Sequence, residues 1–395
     1  MFNTKDYLER CKAAAVPSEV IDITLAYSRY CKKENISVDF NEIYPGKEFI
    51  LHSSKLSTPK KEYLANLDNV LNEFIPTLQS YRDIYLSYAY NLLERNCPVI
   101  FSVDNLVDIL EISNQTLHFL ASSKKCYSTF LIPKSNGTTI EINAPIPKLM
   151  WVQRWILDNI LYQISVSDAC KAFTPGASII KNALPHVGAK VIVKMDIESF
   201  FPSISFERVL GIYLEIGYVY PVALMLAKLS CYKGVLPQGA STSPMLANLI
   251  CRNLDLRLSS LAQKMGFFYT RYADDLTFSG SMTMVDGLLL SVAKIVKSEG
   301  FLLSEKKTKV MRRNASQRVT GLIVNSKANV PRKYYRKVRA IIHNCIKYGV
   351  TSQNTEDKDE IYKQYLFGHA YYIRSVNQKL GNNLIELLSK VDWNS

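Results

Sequence analysis

The segment FFYTRYADDLTF constrains the fold of this 395-residue chain more than any other. Its flanks, Phe267–Tyr272 and Leu276–Phe278, are aromatic and β-branched and predict two short strands. Ala273, Asp274 and Asp275 then lie at the tip of a tight hairpin. Two like charges at the end of buried strands are costly unless a cation offsets them, and Mg²⁺ prefers carboxylate oxygens. The segment predicts a hairpin with a metal site at its tip, although an ordinary Asp-rich turn has the same composition.

A third carboxylate follows another apolar run upstream. Val191–Met195 predicts a strand, and Asp196 lies near its C-terminal end. Ligands gather beyond the carboxyl ends of strands in layered α/β domains, so we expect Asp196 to meet the Asp pair. Three carboxylates can hold two ions about 4 Å apart, which activate an attacking hydroxyl and stabilise a leaving pyrophosphate. The alternative is that Asp196 only caps the next helix.

A turn and a helix lie between these acidic segments. Leu236–Gly239 has turn chemistry, and Pro244 to Leu254 predicts a helix. Gly239 lets the backbone approach a ligand closely, and Gln238 offers both a donor and an acceptor. Three hydroxyl side chains are candidates for the helix cap: Ser241, Thr242 and Ser243. A turn before a helix is common, so the order of the three segments carries the argument.

Composition favours a globular protein with a polyanionic partner. The chain is 48% apolar, has a formal net charge of +13, and contains no apolar run of membrane-span length. Asp6, Glu9 and Arg10 interrupt the first stretch and argue against a signal peptide. The eight cysteines form no CxxC pair and indicate the reduced thiols of a cytosolic protein.

The basic charge is concentrated in one segment near the C-terminus. Pro331–Arg339 opens a predicted helix that continues to about Lys347. Cations there can neutralise phosphates while tyrosines stack on bases, and a solvated amphipathic face is the alternative. The candidate RNA-binding residues are Arg332, Lys333, Tyr334, Tyr335, Arg336, Lys337 and Arg339.

From about Pro98 onward, the order of motifs resembles the palm of a reverse transcriptase. MDIESFFPSI looks like motif A, LPQGASTSP like motif B, YADD like motif C and GFLLSEKKTKV like motif D, while LIPKSNG and the segment around Gln153 look like the fingers. Two further elements match retron reverse transcriptases, one of the form NAxxH and one VTG. Their residues are Asn182, Ala183, His186, Val319, Thr320 and Gly321.

The resemblance implies catalytic roles for four side chains. Asp196, Asp274 and Asp275 match the ligands of two Mg²⁺ ions, and the carbonyl of Ile197 matches a backbone ligand. Lys307 matches the motif D lysine that protonates the leaving pyrophosphate. It stands beside Lys306 and Lys309, so a solvated role is the alternative.

The resemblance also implies a site for the incoming dNTP. Phe201 matches the aromatic steric gate against a ribose 2′-hydroxyl, although Phe200 and Phe201 are also candidates for the core. Gln238 and Gly239 match residues that line the dNTP site, and Lys134 matches a fingers lysine that faces the triphosphate. The accompanying arginine is missing, because the aligned residue is Ile140, which cannot grip phosphate. Either Arg154 or another cation replaces it, or the affinity for dNTP is lower.

The expected fold is α+β, in the form of a right-hand polymerase. It has α/β fingers, a palm with a small antiparallel sheet packed on helices, and a helical thumb. Helical periodicity predicts an N-terminal extension over 1–96, whose role the sequence does not assign, with helices at Thr4–Ala15, Pro17–Glu34 and Lys60–Arg95 and an irregular link at Val38–Thr58. Fingers and palm are expected over 97–318 and the RNA-binding thumb over 319–395.

The resemblance implies an RNA-directed DNA polymerase that copies part of its cognate non-coding RNA into branched multicopy single-stranded DNA (msDNA). The primer is then an RNA 2′-hydroxyl, the substrates are dNTPs, and the role is antiphage defence with an effector protein. The expected location is the bacterial cytoplasm, without a membrane partner. Two alternatives stay open: another reverse transcriptase, such as a group II intron maturase or a defence-associated enzyme, and an RNA-binding module with a vestigial palm.

Overall fold

A computed structural model describes residues 21–22, 56–73, 81–133, 137, 139–281, 283–354 and 359–393. The helix predicted at Thr4–Ala15, the helix predicted at Pro17–Glu34 except residues 21–22, nearly all of the link at Val38–Thr58, and Lys134 lie outside the described residues.

The described chain is a mixture of α-helices and antiparallel strands. The helices are α1 (Thr58–Glu73), α2 (Arg82–Glu94), α3 (Val103–Ile109), α4 (Asn114–Ser122), α5 (Pro147–Asn159), α6 (Ile179–Ala183), α7 (Phe206–Ile216), α8 (Tyr220–Ser230), α9 (Ser243–Ile250), α10 (Arg252–Lys264), α11 (Val285–Ser298), α12 (Arg332–Tyr348), α13 (Asp359–Val376) and α14 (Gln378–Leu388). The strands are β1 (Tyr127–Pro133), β2 (Thr139–Pro145), β3 (Val191–Asp196), β4 (Phe267–Tyr272), β5 (Asp275–Gly280), β6 (Lys309–Arg312), β7 (Arg318–Val319) and β8 (Leu322–Ile323).

The chain divides into two compact units. One contains the residues up to Val166 together with Ser199–Arg252, and the other contains Ser167–Glu198 and Asn253–Ser395. The first unit holds the antiparallel hairpin β1–β2 and helices α1–α5 and α7–α9. Helices α7 and α8 pack against each other through apolar residues such as Val209, Ile212 and Leu226, which are buried.

The second unit is built around a four-stranded antiparallel sheet with the strand order β4-β5-β3-β6. The inner strand β3 has a hydrogen-bonded neighbour on each side, and its apolar residues are buried. Its register pairs Val193 with Phe278 of β5 and Asp196 with Asp275. The predicted strands at 191–195 and 267–272 and the predicted hairpin are therefore confirmed. Asp275, which was expected at the tip, is instead the first residue of β5 and pairs with Tyr272.

A second core in this unit joins the short strands β7 and β8 to the C-terminal helices. Its buried residues include Val319 and Leu322, the α12 residues Val338 and Ile342, and Leu384 of α14. Helix α12 spans Arg332–Tyr348, which confirms the helix predicted from Pro331 to about Lys347.

The helix predicted from Pro244 to Leu254 is divided in two at Cys251, which was not expected. Arg252 donates from Nε to the carbonyl of Leu249, in the last turn of α9, and its Nη2 bonds to Glu215 at 2.8 Å. This side chain adds a hydrogen bond to a carbonyl in the last turn of the interrupted helix.

Within the described ranges, no helix has both the length and the apolar character needed to cross a membrane. The six cysteines in these ranges are free thiols, and all except Cys231 are buried.

Candidate active site

The end of the four-stranded sheet brings the three predicted carboxylates together. Asp196 is the last residue of β3 and pairs in register with Asp275, the first residue of β5. Asp274 occupies the turn between β4 and β5, and its carbonyl accepts a 2.9 Å hydrogen bond from the Ile197 N–H. The Ser304 N–H donates to the carbonyl of Asp196 at 2.8 Å. Backbone pairing alone therefore places the three side chains at one edge.

Two lysines offset the charge of these carboxylates. Lys194 forms an ion pair with Asp275, and Lys307 Nζ lies 2.6 Å from Asp196 Oδ1. Lys306, Lys307 and Lys309 are all exposed, and Lys307 donates a hydrogen bond to Asp196. The pair with Lys194 was not predicted. The signal was available, because residues two apart in a strand share a face, and Lys194 precedes Asp196 by two.

The pKa values of two carboxylates of the site, Asp274 and Asp275, are raised by burial and by repulsion from neighbouring carboxylates. Burial, followed by the negative charge of Asp196, raises the pKa of Asp274 above its ordinary value. Burial also raises the pKa of Asp275, against the opposing effect of Lys194. The hydrogen bond to Asp196 raises the pKa of Lys307. Asp274 and Asp275 are partly removed from water and are repelled by the neighbouring carboxylates. The ammonium groups of Lys194 and Lys307 offset this negative charge.

The donor set fits Mg²⁺, which takes oxygen ligands and needs only one or two carboxylates besides water and phosphate. Within the described ranges, no group of three His, Cys, Asp or Glu side chains is arranged to hold a metal ion. The ammonium groups of Lys194 and Lys307 lie against oxygens of Asp275 and Asp196. A divalent ion would take the place of one or both ammonium groups.

The two phenylalanines that follow Asp196 in sequence differ in burial. Phe200 is 5% exposed and belongs to the core, whereas Phe201 is only partly buried. Their ring centroids are 5.4 Å apart. Of the two, Phe201 is therefore the ring that a ligand can reach.

The turn that carries Gln238 and Gly239 is fixed against strand β2. The Asn143 N–H donates to the carbonyl of Gln238 at 2.8 Å, and Gly239 has a φ of +139°. A Cβ at Gly239 would lie 2.6 Å from the carbonyl oxygen of Asn143, so only glycine fits. The Ser243 hydroxyl donates to the carbonyl of Pro237 at 2.7 Å instead of capping helix α9. Thr242 occupies the cap position and makes no side-chain capping bond.

The buried side chain of Gln153 links α5 to this region. Its Nε2 donates to the Tyr127 hydroxyl at 2.8 Å and to the carbonyl of Leu229 at 2.9 Å, while Oε1 accepts from the Ser241 N–H. Ile140 pairs with Ile132 in the hairpin β1–β2. Arg154, one candidate for the missing cation, is mostly exposed and lies 3.6 Å from Asp158.

The NAxxH residues are buried against the hairpin β4–β5. His186 is fully buried, and its ring nitrogens bond at 2.7 Å to Ser279 Oγ of β5 and Thr270 Oγ1 of β4. Burial lowers the pKa of His186 to about 4, so the ring is neutral. Asn182 is also fully buried, and neither of its amide atoms has a hydrogen-bond partner among the described residues. Its burial gives no sign of a ligand.

The VTG residues adjoin the same helix as the NAxxH residues. Ala183 and Val319 share one buried cluster, and the Thr320 hydroxyl donates to the carbonyl of Ile179 at 3.0 Å. Thr320 and Gly321 both have positive φ, +45° and +83°. The two elements are thus neighbours in the fold, although about 130 residues separate them in sequence.

Helix α12 presents its basic residues to solvent. Its buried face consists of Val338, Ile342 and Cys345. Six cations are exposed on the other faces: the five predicted residues Arg332, Lys333, Arg336, Lys337 and Arg339, and also Lys347. Tyr334 and Tyr335 are partly buried.

Tyr334 bonds through its hydroxyl to His369 Nδ1 at 2.5 Å, and its ring packs edge-on against His369 and Tyr372 of α13. The structure thus gives Tyr334 a role in joining α12 to α13.

Sequence comparisons with known proteins agree on one family. A family model described as reverse transcriptase (RNA-dependent DNA polymerase) matches residues 144–356. The chain is similar to the Retron Mx65 reverse transcriptase of Myxococcus xanthus, with 35% identity over 298 residues, 70% of this chain and 68% of that protein. It is similar to the Retron Ec86 reverse transcriptase of Escherichia coli, with 35% identity over 309 residues, 77% of this chain and 93% of that protein. It also has a weak similarity to the solved structure of telomerase from Candida albicans with a TWJ fragment of telomeric RNA, with a TM-score of 0.39 and 11% identity, over 92% of this chain and 79% of that chain.

Proposed function

Because this chain belongs to the reverse transcriptase family and to its retron branch, and is therefore an RNA-directed DNA polymerase, we propose that it copies part of its own cognate non-coding RNA into branched msDNA. The observation that carries the catalytic part is the register at the sheet edge. Asp196 faces Asp275 across β3 and β5, next to the turn that holds Asp274. These three side chains and Lys307 form the catalytic group. The primer is a guanosine 2′-hydroxyl of the same RNA, which leaves a 2′,5′ branch.

Asp196, Asp274, Asp275 and the carbonyl of Ile197 would hold Mg²⁺. When bound, two such ions supply Lewis-acid activation of the attacking hydroxyl and stabilisation of the leaving oxygen. The chain itself supplies orientation: β3 and the β4–β5 turn hold the carboxylates on fixed backbone. Lys307 holds a proton next to Asp196 and delivers it to the leaving pyrophosphate.

Lys134, Phe201, Gln238 and Gly239 select and hold the dNTP. Phe201 excludes a ribose 2′-hydroxyl, which would lose water against the ring without gaining a partner. Gln238 contacts the nucleotide, and Gly239 permits close approach of the backbone. The fixed turn geometry at Gln238–Gly239 supports this assignment.

The organisation we propose is that of a right hand. Residues 1–96 form a helical extension, 97–318 the fingers and palm, and 319–395 the thumb. The exposed cations of α12 bind the RNA backbone, since Lys and Arg on one helix neutralise successive phosphates. The protein acts in the bacterial cytoplasm in antiphage defence, with an effector protein as its partner. The net charge of +13 supports the nucleic-acid part of this proposal.

Sequencing the nucleic acid that copurifies with the protein tests the proposal. We expect an RNA joined to DNA through a 2′,5′ branch, and RNA without DNA from the Asp274→Asn variant. Intron RNA would indicate a group II intron maturase instead. RNA alone from the unsubstituted protein, with no polymerisation of dNTPs, would indicate a binding module.

A further inference from the structure

The turn that carries Asp274 has an unfavourable backbone conformation at its first residue. Ala273 has a φ of +57°, in the left-handed region, where a Cβ crowds the following carbonyl oxygen. Such conformations persist only where surrounding contacts hold them. A contact that holds Ala273 in this conformation therefore also fixes the position of the next two residues, Asp274 and Asp275.

Arg271 makes that contact from two residues upstream. Its Nη1 donates to the carbonyl of Ala273 at 3.1 Å. Its Nε and Nη2 donate to Asp255 Oδ1 and Oδ2 of α10 at 2.8 and 2.7 Å, so the pair is bidentate. Both side chains are fully buried. A bidentate pair fixes the plane of the guanidinium, and this plane aims Nη1 at the turn.

Further bonds fix Arg271 and Asp255 themselves. The Tyr269 hydroxyl donates to Asp255 Oδ1 at 2.9 Å. The Arg271 N–H donates to the carbonyl of Ala169, and its own carbonyl accepts from the Lys171 N–H, both at 2.8 Å. The backbone and the side chain of Arg271 are therefore both fixed. A residue that positions a catalytic group needs such support.

We propose that Arg271 is the positioning residue of the catalytic turn: held by Asp255, it fixes the Ala273 carbonyl and thereby the carboxylates of Asp274 and Asp275. This inference rests on the proposed function of those two carboxylates. A buried ion pair is weak evidence for stability, because well-packed apolar residues often replace such a pair without loss. The two explanations, positioning of the turn and packing of α10 against the hairpin, therefore predict different results for the same variants.

Arg271→Lys is the first test, because lysine keeps the charge but lacks the rigid fork that bonds to both oxygens of Asp255 while a separate nitrogen reaches the Ala273 carbonyl. We expect kcat to fall about 10- to 100-fold on a poly(rA) template primed with oligo(dT), with KM for dTTP and affinity for the template within about twofold. Arg257→Lys is the matched control. Arg257 is on the same helix as Asp255, is partly exposed and lies 2.5 Å from Glu299, and the control should keep kcat.

The double variant Arg271→Met with Asp255→Leu separates positioning from packing. If it folds, with a thermal midpoint near that of the unsubstituted protein, we expect kcat to stay low. A folded double variant with normal kcat, or Arg271→Lys with normal kcat, would overturn the proposal. If the double variant does not fold, the kcat of Arg271→Lys alone decides between positioning of the turn and packing. Activity retained in Asp274→Asn would instead remove the proposed function itself, so the two failures are distinguishable.

Discussion

The hairpin β4–β5 and the helix α12 both carry charged residues, but they hold them in opposite ways. On the hairpin, Arg271 is fully buried and bonded to a carboxylate, and the turn carboxylates are withdrawn from water. On α12, the cations are exposed and only the apolar face is packed. Catalysis requires charges at fixed positions, whereas a long polyanion is bound by charges that stay solvated until contact. The difference predicts that substitutions in the two regions change different measured quantities.

The largest effect is expected at the turn. Asp274→Asn keeps the size of the side chain but removes its charge, so DNA synthesis should fall by roughly 10³-fold or more while RNA affinity stays nearly unchanged. Primer extension and filter binding on the same preparation measure both quantities. Glu198→Gln removes an exposed carboxylate near Asp196 in sequence and serves as the control. Wild-type synthesis by Asp274→Asn would contradict the catalytic assignment.

The sequence predicted the hairpin and α12 well because both follow from local patterns. Aromatic and β-branched alternation determines β4, and apolar residues at helical spacing determine α12. The bonds that fix the hairpin could not be predicted in this way. Asp255 meets Arg271 from a different element, and His186 meets Ser279 across 93 positions, so no local pattern encodes either contact.

A second expected effect concerns the choice of sugar. Phe201→Ala should raise the ratio of kcat/KM for NTP to that for dNTP by roughly 10- to 100-fold, because the space left by the ring admits a hydroxyl and water. Phe200→Leu is the control: it alters a buried core ring and should lower stability without changing the ratio. An unchanged ratio in Phe201→Ala would show that Phe201 is a core residue and that another residue forms the steric gate.

A smaller effect concerns the pH dependence of stability through His186. Its pKa is lowered from 6.5 to about 4 by burial, so below pH 6.5 the unfolded chain binds a proton that the folded chain does not. The stabilisation by neutral His186 is complete above pH 6.5 and is lost as the pH falls towards 4. At pH 5 the loss is about 2 kcal/mol, or roughly 2–3 °C in Tm.

The measurement is the difference in Tm between pH 7.5 and pH 5, for the unsubstituted protein and for His186→Gln. Glutamine does not titrate, so the variant should lose less stability on acidification. Equal losses in the two proteins would show that the pKa of His186 is the same in the folded and unfolded chains.

The central claim is the division between a buried catalytic turn and a solvated RNA-binding helix, and RNA affinity across a salt series tests it most directly. Substituting Arg332, Lys333, Arg336 and Lys337 by Ala should weaken binding and remove about three units from the log–log slope, at about 0.7–0.9 per lost phosphate contact. As a control, substituting three exposed lysines elsewhere in the same unit removes three charges, against four in the α12 variant, and should change the slope by less than about one unit. These control residues are Lys264, Lys294 and Lys297. Asp274→Asn should keep the slope and lose the rate. Loss of fewer than about two slope units in the α12 variant, or a changed slope in Asp274→Asn with the rate retained, would contradict the account.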